Sequence, residues 1–168
     1  MVIGATLLFK KSVEKTDKMI EIKTATIQDI HALAPLFDAY RVFYKKTSDL
    51  AGAQQFLEAR LRNAESIVFL ATDASNPCGF IQLYPLFSST NMAPLLLLND
   101  LFVAPEYRGK QIGMALLQHV QEYAKSSRVK GITLETEKAN LVGNQLYPKM
   151  GFSRDEEHHF YFWENPTF

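Results

Sequence analysis

With Cys78 as its single cysteine, the chain lacks the means for an internal disulfide. That excludes a disulfide-stapled secreted scaffold and is compatible with a reducing, cytoplasmic setting. A reactive thiol needs neighbours that lower its pKa, and no histidine stands near Cys78 in sequence, so this thiol reads as inert. An excess of charge is also missing, because 18 Lys and Arg stand against 18 Asp and Glu. A net charge of zero removes the electrostatic argument for a nucleic-acid or anionic-membrane partner, although a local acidic cleft can sit inside a neutral total. No apolar run approaches the ~20 residues that span a bilayer. Residues 2–9 are apolar, but no basic segment precedes them and no clear cleavage site follows, which argues against a targeting signal. Internal repeats, linkers and low-complexity tracts are absent. His31, His119, His158 and His159 do not form a metal-ligand spacing, so no metal is expected.

What is there fits one ordinary domain. A chain of 168 residues, 47% of them hydrophobic, can bury about two-thirds of the surface its unfolded state exposes and so needs no staples. Residues 1–18 read as a flexible N-terminal extension, or as the product of a start placed upstream of Met19, and residues 19–168 as the single domain. Apolar and polar residues alternate over 19–25, which predicts a half-buried strand. Ile30, Leu33, Leu36, Phe37 and Tyr40 follow at helical spacing, and a second helix is expected over about 50–63. Strands are predicted at 66–72, 79–87 and 94–103. The last of these carries an unbroken run of leucines (95–98) that suggests cover on both faces. A helix over 112–125, a strand over 131–137, a short helix over 140–150 stopped by Gly151, and an aromatic strand over 160–163 complete the order. Consecutive strands without intervening helices disfavour a doubly wound parallel sheet. The expected class is therefore mixed α/β, a central mostly antiparallel sheet with helices on both faces.

The most informative stretch runs Asn99, Asp100, Leu101, Phe102, Val103, Ala104, Pro105, Glu106, Tyr107, Arg108, Gly109, Lys110, Gln111, Ile112, Gly113, Met114, Ala115. A strand ends near Pro105, and a basic, glycine-containing loop leads into a helix. Helix starts present unpaired backbone N–H groups and a positive dipole end, and glycine lets a ligand approach the backbone closely. The loop is thus a credible pyrophosphate cradle. On the residues alone it serves equally as an ordinary basic helix start. Neither a Walker loop nor a G-x-G-x-x-G fingerprint is present.

The segment from Arg108 to Gly113 resembles the acetyl-CoA loop of the GNAT acetyltransferases, Gln/Arg-x-x-Gly-x-Gly/Ala. Asn140, Gly143, Leu146, Tyr147, Gly151 and Phe152 resemble that family's Asn-x-x-Ala-x-x-Leu-Tyr-x-x-x-Gly-Phe segment at the right separation. The resemblance covers about nine-tenths of the chain and implies a GNAT fold with acetyl-CoA as cosubstrate. It implies that backbone amides over Gln111, Ile112, Gly113 and Met114, with Arg108, Gly109 and Lys110, hold the pyrophosphate. By the same resemblance, Leu101, Phe102 and Val103 pair with the pantetheine arm and Asn140 hydrogen-bonds the cofactor. Tyr147 would lie near the sulfur and protonate the leaving thiolate. The amine attacks directly in this family, so no catalytic cysteine or serine is needed.

An alkyl ammonium must lose a proton before it attacks, so a base is required within reach. The stretch from Asn99 to Val103 resembles the Glu-Asp-Phe-Phe-Val of spermidine/spermine-type diamine acetyltransferases, but Asn99 occupies the glutamate's place, and an amide cannot accept the proton. Asp100, Glu135 and Glu137 remain as candidates, the last two expected on one face of a strand. Gln111 stands where the family has glycine; its amide is still present, so binding is expected to survive if this residue keeps a negative φ. Pro148 is expected to kink or shorten the last helix. Tyr40, Tyr44 and Tyr84 fit either an amine pocket or the core. The reading is an N-acetyltransferase acting on a small-molecule amine such as a polyamine, lysine analogue or amino acid. A protein lysine or N-terminal acetyltransferase, and a non-catalytic acyl-CoA-binding module, stand as alternatives. The aromatic segment 160–163 suggests a homodimer.

Overall fold

The computed structural model describes residues 20–167, so the extension expected over 1–18 lies outside the described residues. Strand β1 (Ile20–Thr24) is followed by α1 (Ile30–Phe43), α2 (Leu50–Arg62), β2 (Ile67–Asp73), β3 (Asn76–Ser88), β4 (Ala93–Val103), α3 (Ile112–Ser126), β5 (Ile132–Leu134) and α4 (Leu141–Lys149). The strands form one sheet in the order β1-β2-β3-β4-β5. All neighbours are antiparallel except β4 and β5. That parallel pair needs a crossover connection, which α3 supplies.

Two cores lie on the two faces of the sheet. On one, Ile30, Leu33, Phe37 and Leu57 of α1 and α2 pack against Val68, Leu70, Phe80 and Phe102. On the other, Ile112, Leu116, Leu117 and Val120 of α3 pack against Phe69, Ile81, Leu83, Leu96 and Leu98. The α3 positions recur at intervals of three and four, the spacing that keeps one stripe of a helix against a sheet. Cys78 is buried on that face, its Sγ donates to the Ala71 carbonyl at 3.3 Å, and burial pushes the thiol up to about 11. A thiol so raised is a poor nucleophile.

Strand β4 changes face partway along. Gln82 of β3 pairs with Asp100, but Leu83 pairs with Leu98, so Asn99 is one residue too many. This is a β-bulge. Side chains alternate with a period of two, so one inserted residue exchanges the faces. Leu96 and Leu98 consequently face α3, whereas Phe102 joins the α1 and α2 core.

Three expectations are corrected. The leucine run is not covered equally on both faces, since Leu96 and Leu98 are buried and Leu95 and Leu97 only partly so. The strand expected over 131–137 is confined to Ile132–Leu134. No strand forms over 160–163, where Phe160, Tyr161, Phe162 and Trp163 are 68–84% exposed. A strand exists only when a neighbour completes its ladder, and β5 offers a very short one. Among the described residues no helix is long and apolar enough to cross a membrane.

Candidate active site

The β4–β5 pairing ends at Leu98 and Leu134. Beyond the bulge the two strands part, and the edge of β4 over 99–103 that faces away from β3 has no ladder partner among the described residues. Chain 135–140 turns off into α4, leaving a cleft of about 590 Å³ between the parted strands. Its walls hold Leu101, Phe102, Val103, Arg108, Gly109, Gln111, Ile112, Gly113, Met114, Glu135, Asn140 and Tyr147 together with Tyr40, Tyr44 and Asn99. That size suits a small-molecule or cofactor site.

One wall is backbone. Gly109 has φ +77 with open space where a Cβ would stand, so it is the left-handed backbone, not crowding, that favours glycine here. Gln111 caps α3 at φ +62, so the condition of a negative φ is not met. Glycine suits this position because the left-handed region costs another residue roughly 1–2 kcal/mol. A Cβ on Gly113 would come no nearer than 3.6 Å to Leu146 and 4.0 Å to Val103, so the protein itself would tolerate one. The open first turn of α3 and the unpaired β4 edge together suit a molecule that carries both a pyrophosphate and an amide-bearing arm.

The charged members of this loop are partly committed within the fold. The Arg108 Nε donates to the Val103 carbonyl at 3.1 Å, with its guanidinium 5.5 Å from the centre of the Phe43 ring. Lys110 does not line the cleft. Its Nζ lies 3.5 Å from Asp73 Oδ2 and 4.6 Å from the centre of the Tyr107 ring, which ties the loop to the β2–β3 turn.

Asn140 caps α4. Its Oδ1 accepts from the Gly143 N–H at 3.0 Å, and its Nδ2 donates to Thr136 at 2.9 Å. A Cβ on Gly143 would lie 2.6 Å from Asn140 Nδ2 and 3.1 Å from the Tyr147 ring, which accounts for glycine here. Pro148 is accommodated in the last turn of this nine-residue helix, and Gly151 follows with φ +82. Tyr147 therefore stands on a capped helix, its ring edge-on to Phe152 at 5.9 Å. Burial, with Tyr44 nearby, raises its phenol above the ordinary range, so it keeps its proton at neutral pH.

The other wall is made of side chains. Tyr40 packs edge-on against Tyr44, Phe80 and Phe102 at 5.0, 5.9 and 6.2 Å. Tyr40 and Tyr44 both line the cleft and Tyr84 does not, which divides the three tyrosines that the sequence left undecided. Asp100 is 4% exposed beneath them. Asn99 Nδ2 donates to both its oxygens at 3.2 Å. Burial raises the Asp100 carboxyl, and the hydrogen bonds from Asn99, with the Tyr40 hydroxyl nearby, oppose the shift only in part. Glu135 is exposed on the cleft wall, whereas Glu137 stands outside it and near Tyr44. The shared-face argument for these two glutamates fails, because β5 ends before either. Phe43 and Thr136 also line the cleft. Nothing in their local sequence marks them, since both arrive through the packing of α1 and the turn after β5.

Residues 33–152 match the acetyltransferase (GNAT) family. The uncharacterized N-acetyltransferase YhfO of Bacillus subtilis is 44% identical over 136 residues, covering 81% of this chain and 91% of its own length. A crystal structure of a probable acetyltransferase superposes with a TM-score of 0.82 at 36% identity, over 86% of this chain and 97% of its own. A spermidine N(1)-acetyltransferase of Thermoplasma acidophilum is more distant, at 28% identity over 82% of this chain and 90% of its own.

Proposed function

The chain belongs to the acetyltransferase (GNAT) family and is an acetyl-CoA-dependent N-acetyltransferase; from that premise we propose that it acetylates a primary amine of a small molecule, a polyamine, lysine analogue or amino acid. The observation that carries this reading is the cleft itself, where an unpaired strand edge and an open helix start meet a tyrosine wall with a buried carboxylate behind it. Aromatic walls on one side and a carboxylate at the base suit a compact cationic ligand. The more distant spermidine N(1)-acetyltransferase supports a polyamine as the first acceptor to try.

The residues present fit acetyl-CoA. The amides of Gln111, Ile112, Gly113 and Met114, with Arg108 and Gly109, would hold its pyrophosphate, and the edge over 101–103 its pantetheine arm. Bound there, it supplies the thioester carbonyl. A backbone N–H of the same edge would donate to the thioester carbonyl oxygen. Tyr147, protonated at neutral pH, holds the proton that the departing sulfur takes up. Asp100, whose raised pKa lies closer to the working range than an exposed carboxylate's, takes the proton that the amine loses. Glu135, in water on the cleft wall, contributes negative charge that draws the ammonium in. The cytoplasmic setting and the single domain over 19–168 belong to the same reading. So does a homodimer in which a second copy covers the exposed aromatics 160–163; a concentration-independent monomer mass in light scattering would discard it.

The test is thiol release from acetyl-CoA against spermidine, putrescine, thialysine, amino acids and a lysine peptide. Turnover of one small amine, falling about 100-fold in Tyr147→Phe with acetyl-CoA affinity unchanged, is the expected result. Turnover of the peptide alone would replace the small-molecule reading.

A further inference from the structure

Lys110 stands between two left-handed residues. Gly109 has φ +77 and Gln111 has φ +62, and the second carries a side chain that this region disfavours. Backbone held in such a conformation persists only where its surroundings enforce it. The loop's own backbone does not enforce it. Among the described residues the N–H groups of 109–114 donate to no backbone carbonyl, and the ladder of α3 starts with the Ala115 N–H on the Gln111 carbonyl at 3.0 Å. The open N–H groups that suit a pyrophosphate thus leave the loop without bonds of its own.

Two side chains hold it instead. Arg108 Nε donates to the Val103 carbonyl at 3.1 Å, but that carbonyl belongs to the stretch proposed for the pantetheine arm, so a bound cofactor competes for it. Lys110 reaches the other way. Its Nζ lies 3.5 Å from Asp73 Oδ2 and 4.6 Å from the centre of the Tyr107 ring. Neither Lys110 nor Asp73 lines the cleft, so a cofactor there leaves this tie intact.

Asp73 is a fixed anchor. It pairs with Ile20 of β1 and Asn76 of β3, at the mouth of a two-residue turn whose Ala74 and Ser75 have φ +49 and +69. Asn76 Nδ2 donates to its carbonyl at 3.3 Å. Asp73 is 4% exposed, Lys110 is its one ion-pair partner among the described residues, and its buried Oδ1 has no hydrogen-bond partner. Burying a carboxylate so sparsely paired costs the fold stability. Holding the loop gives that charge a use.

We propose that Asp73 is a positioning residue for acetyl-CoA: through Lys110 it holds residues 109–111 in the conformation in which the loop and the open start of α3 line the cleft. This rests on the reading of 108–114 as the pyrophosphate cradle. In the rival use of the same pair, Lys110 leaves Asp73 and meets the phosphates itself. The two uses predict opposite results at Asp73. Its removal takes negative charge away from a site for an anion and frees Lys110, and both changes favour direct phosphate contact. Where Asp73 positions the loop, its removal weakens binding in spite of both.

The experiment compares the full chain with Asp73→Asn, Lys110→Gln, the double variant and Gly109→Val. Acetyl-CoA affinity is measured by calorimetry, and backbone order at 109–111 by nitrogen-15 relaxation of the cofactor-free chain. Asp73→Asn and Lys110→Gln are each expected to bind acetyl-CoA about 10-fold more weakly, the loss that follows when the competent loop falls to about a tenth of the population. Order parameters at 109–111 should drop from about 0.85 towards 0.6 in both. The double variant should lose no more than the worse single one, because both break one tie. Asp73→Asn that binds as tightly as the intact chain, or more tightly, overturns the tether alone and, with Lys110→Gln weakened, assigns Lys110 to the phosphates. Where Asp73→Asn does not fold, Lys110→Gln decides, since its side chain is half exposed. Weaker binding with a loop still rigid overturns the tether, and weaker binding with a loosened loop supports it. Gly109→Val that keeps its acetyl-CoA affinity overturns the reading of the cradle and the tether together.

Discussion

The two walls of the cleft are built from different materials. The wall proposed for the cofactor is a single stretch, residues 101–114, and its features are backbone features: an unpaired strand edge, a glycine at φ +77 and the open first turn of α3. The wall proposed for the amine takes Tyr40, Asn99, Glu135 and Tyr147 from four separate places in the chain, with Asp100 buried behind it, and its features are side chains held by packing. Backbone sites tolerate changes of side chain as long as φ and ψ survive. Side-chain sites tolerate backbone strain poorly, because a displaced hydroxyl or carboxylate no longer meets its partner.

The largest effect that would separate the walls concerns Asp38, which anchors the end of α1 that carries Tyr40 and leads into Tyr44. Its carboxylate accepts from Ser48 Oγ at 2.6 Å, the Asp49 N–H at 2.8 Å and Arg41 at 3.3 Å. Asp38→Ala is expected to cost about 2–3 kcal/mol in urea unfolding and to lower amine turnover more than acetyl-CoA affinity. The hydrogen bonds from Ser48 and Asp49, with Arg41 nearby, hold the Asp38 carboxyl below its ordinary 3.8. Its stabilisation is therefore fully present above the ordinary value and is lost as pH falls through the lowered one, so the penalty of the variant should shrink in acid. A penalty unchanged in acid would show that Asp38 acts by packing.

Gly143→Ala comes next. The added Cβ meets Asn140 and the Tyr147 ring within 3.1 Å, so loss of the α4 cap should cost about 1–2 kcal/mol. A fall in kcat without a matching loss of acetyl-CoA affinity would show that the cap serves the position of Tyr147. Equal loss of both would join Asn140 to the cofactor wall. Gln111→Gly is the smallest and has the opposite sign. Relief of the left-handed conformation, less the flexibility that glycine adds to the unfolded chain, should stabilise by about 0.5–1 kcal/mol. Acetyl-CoA affinity should not change, because the amide is kept. Weaker binding would show that the Gln111 side chain, and not the backbone alone, belongs to the cofactor wall.

Much of the architecture was legible in the residues. The helices expected near 30–40, at 50–63 and at 112–125 form almost as read, because each carries an apolar stripe that local spacing displays. The aromatic run 160–163 reads as a strand by propensity but pairs with nothing among the described residues. Propensity describes what suits a sheet, and only a neighbouring strand makes one. The β4 bulge was equally hidden. Asn99 is ordinary in sequence, and its insertion shows only when Gln82 pairs with Asp100 while Leu83 pairs with Leu98.

The sequence by itself determined the family, the mixed sheet, and the stretch from Arg108 to Met114, since contiguous backbone motifs must be written contiguously. The tertiary structure alone decided that Tyr40 and Tyr44 face the cleft while Tyr84 does not, that Lys110 turns to Asp73, and that Asp100 lies buried under Asn99. Those outcomes depend on which face each strand residue takes after the bulge and on how α1 packs across it, and long-range packing of this kind leaves no local periodicity to read.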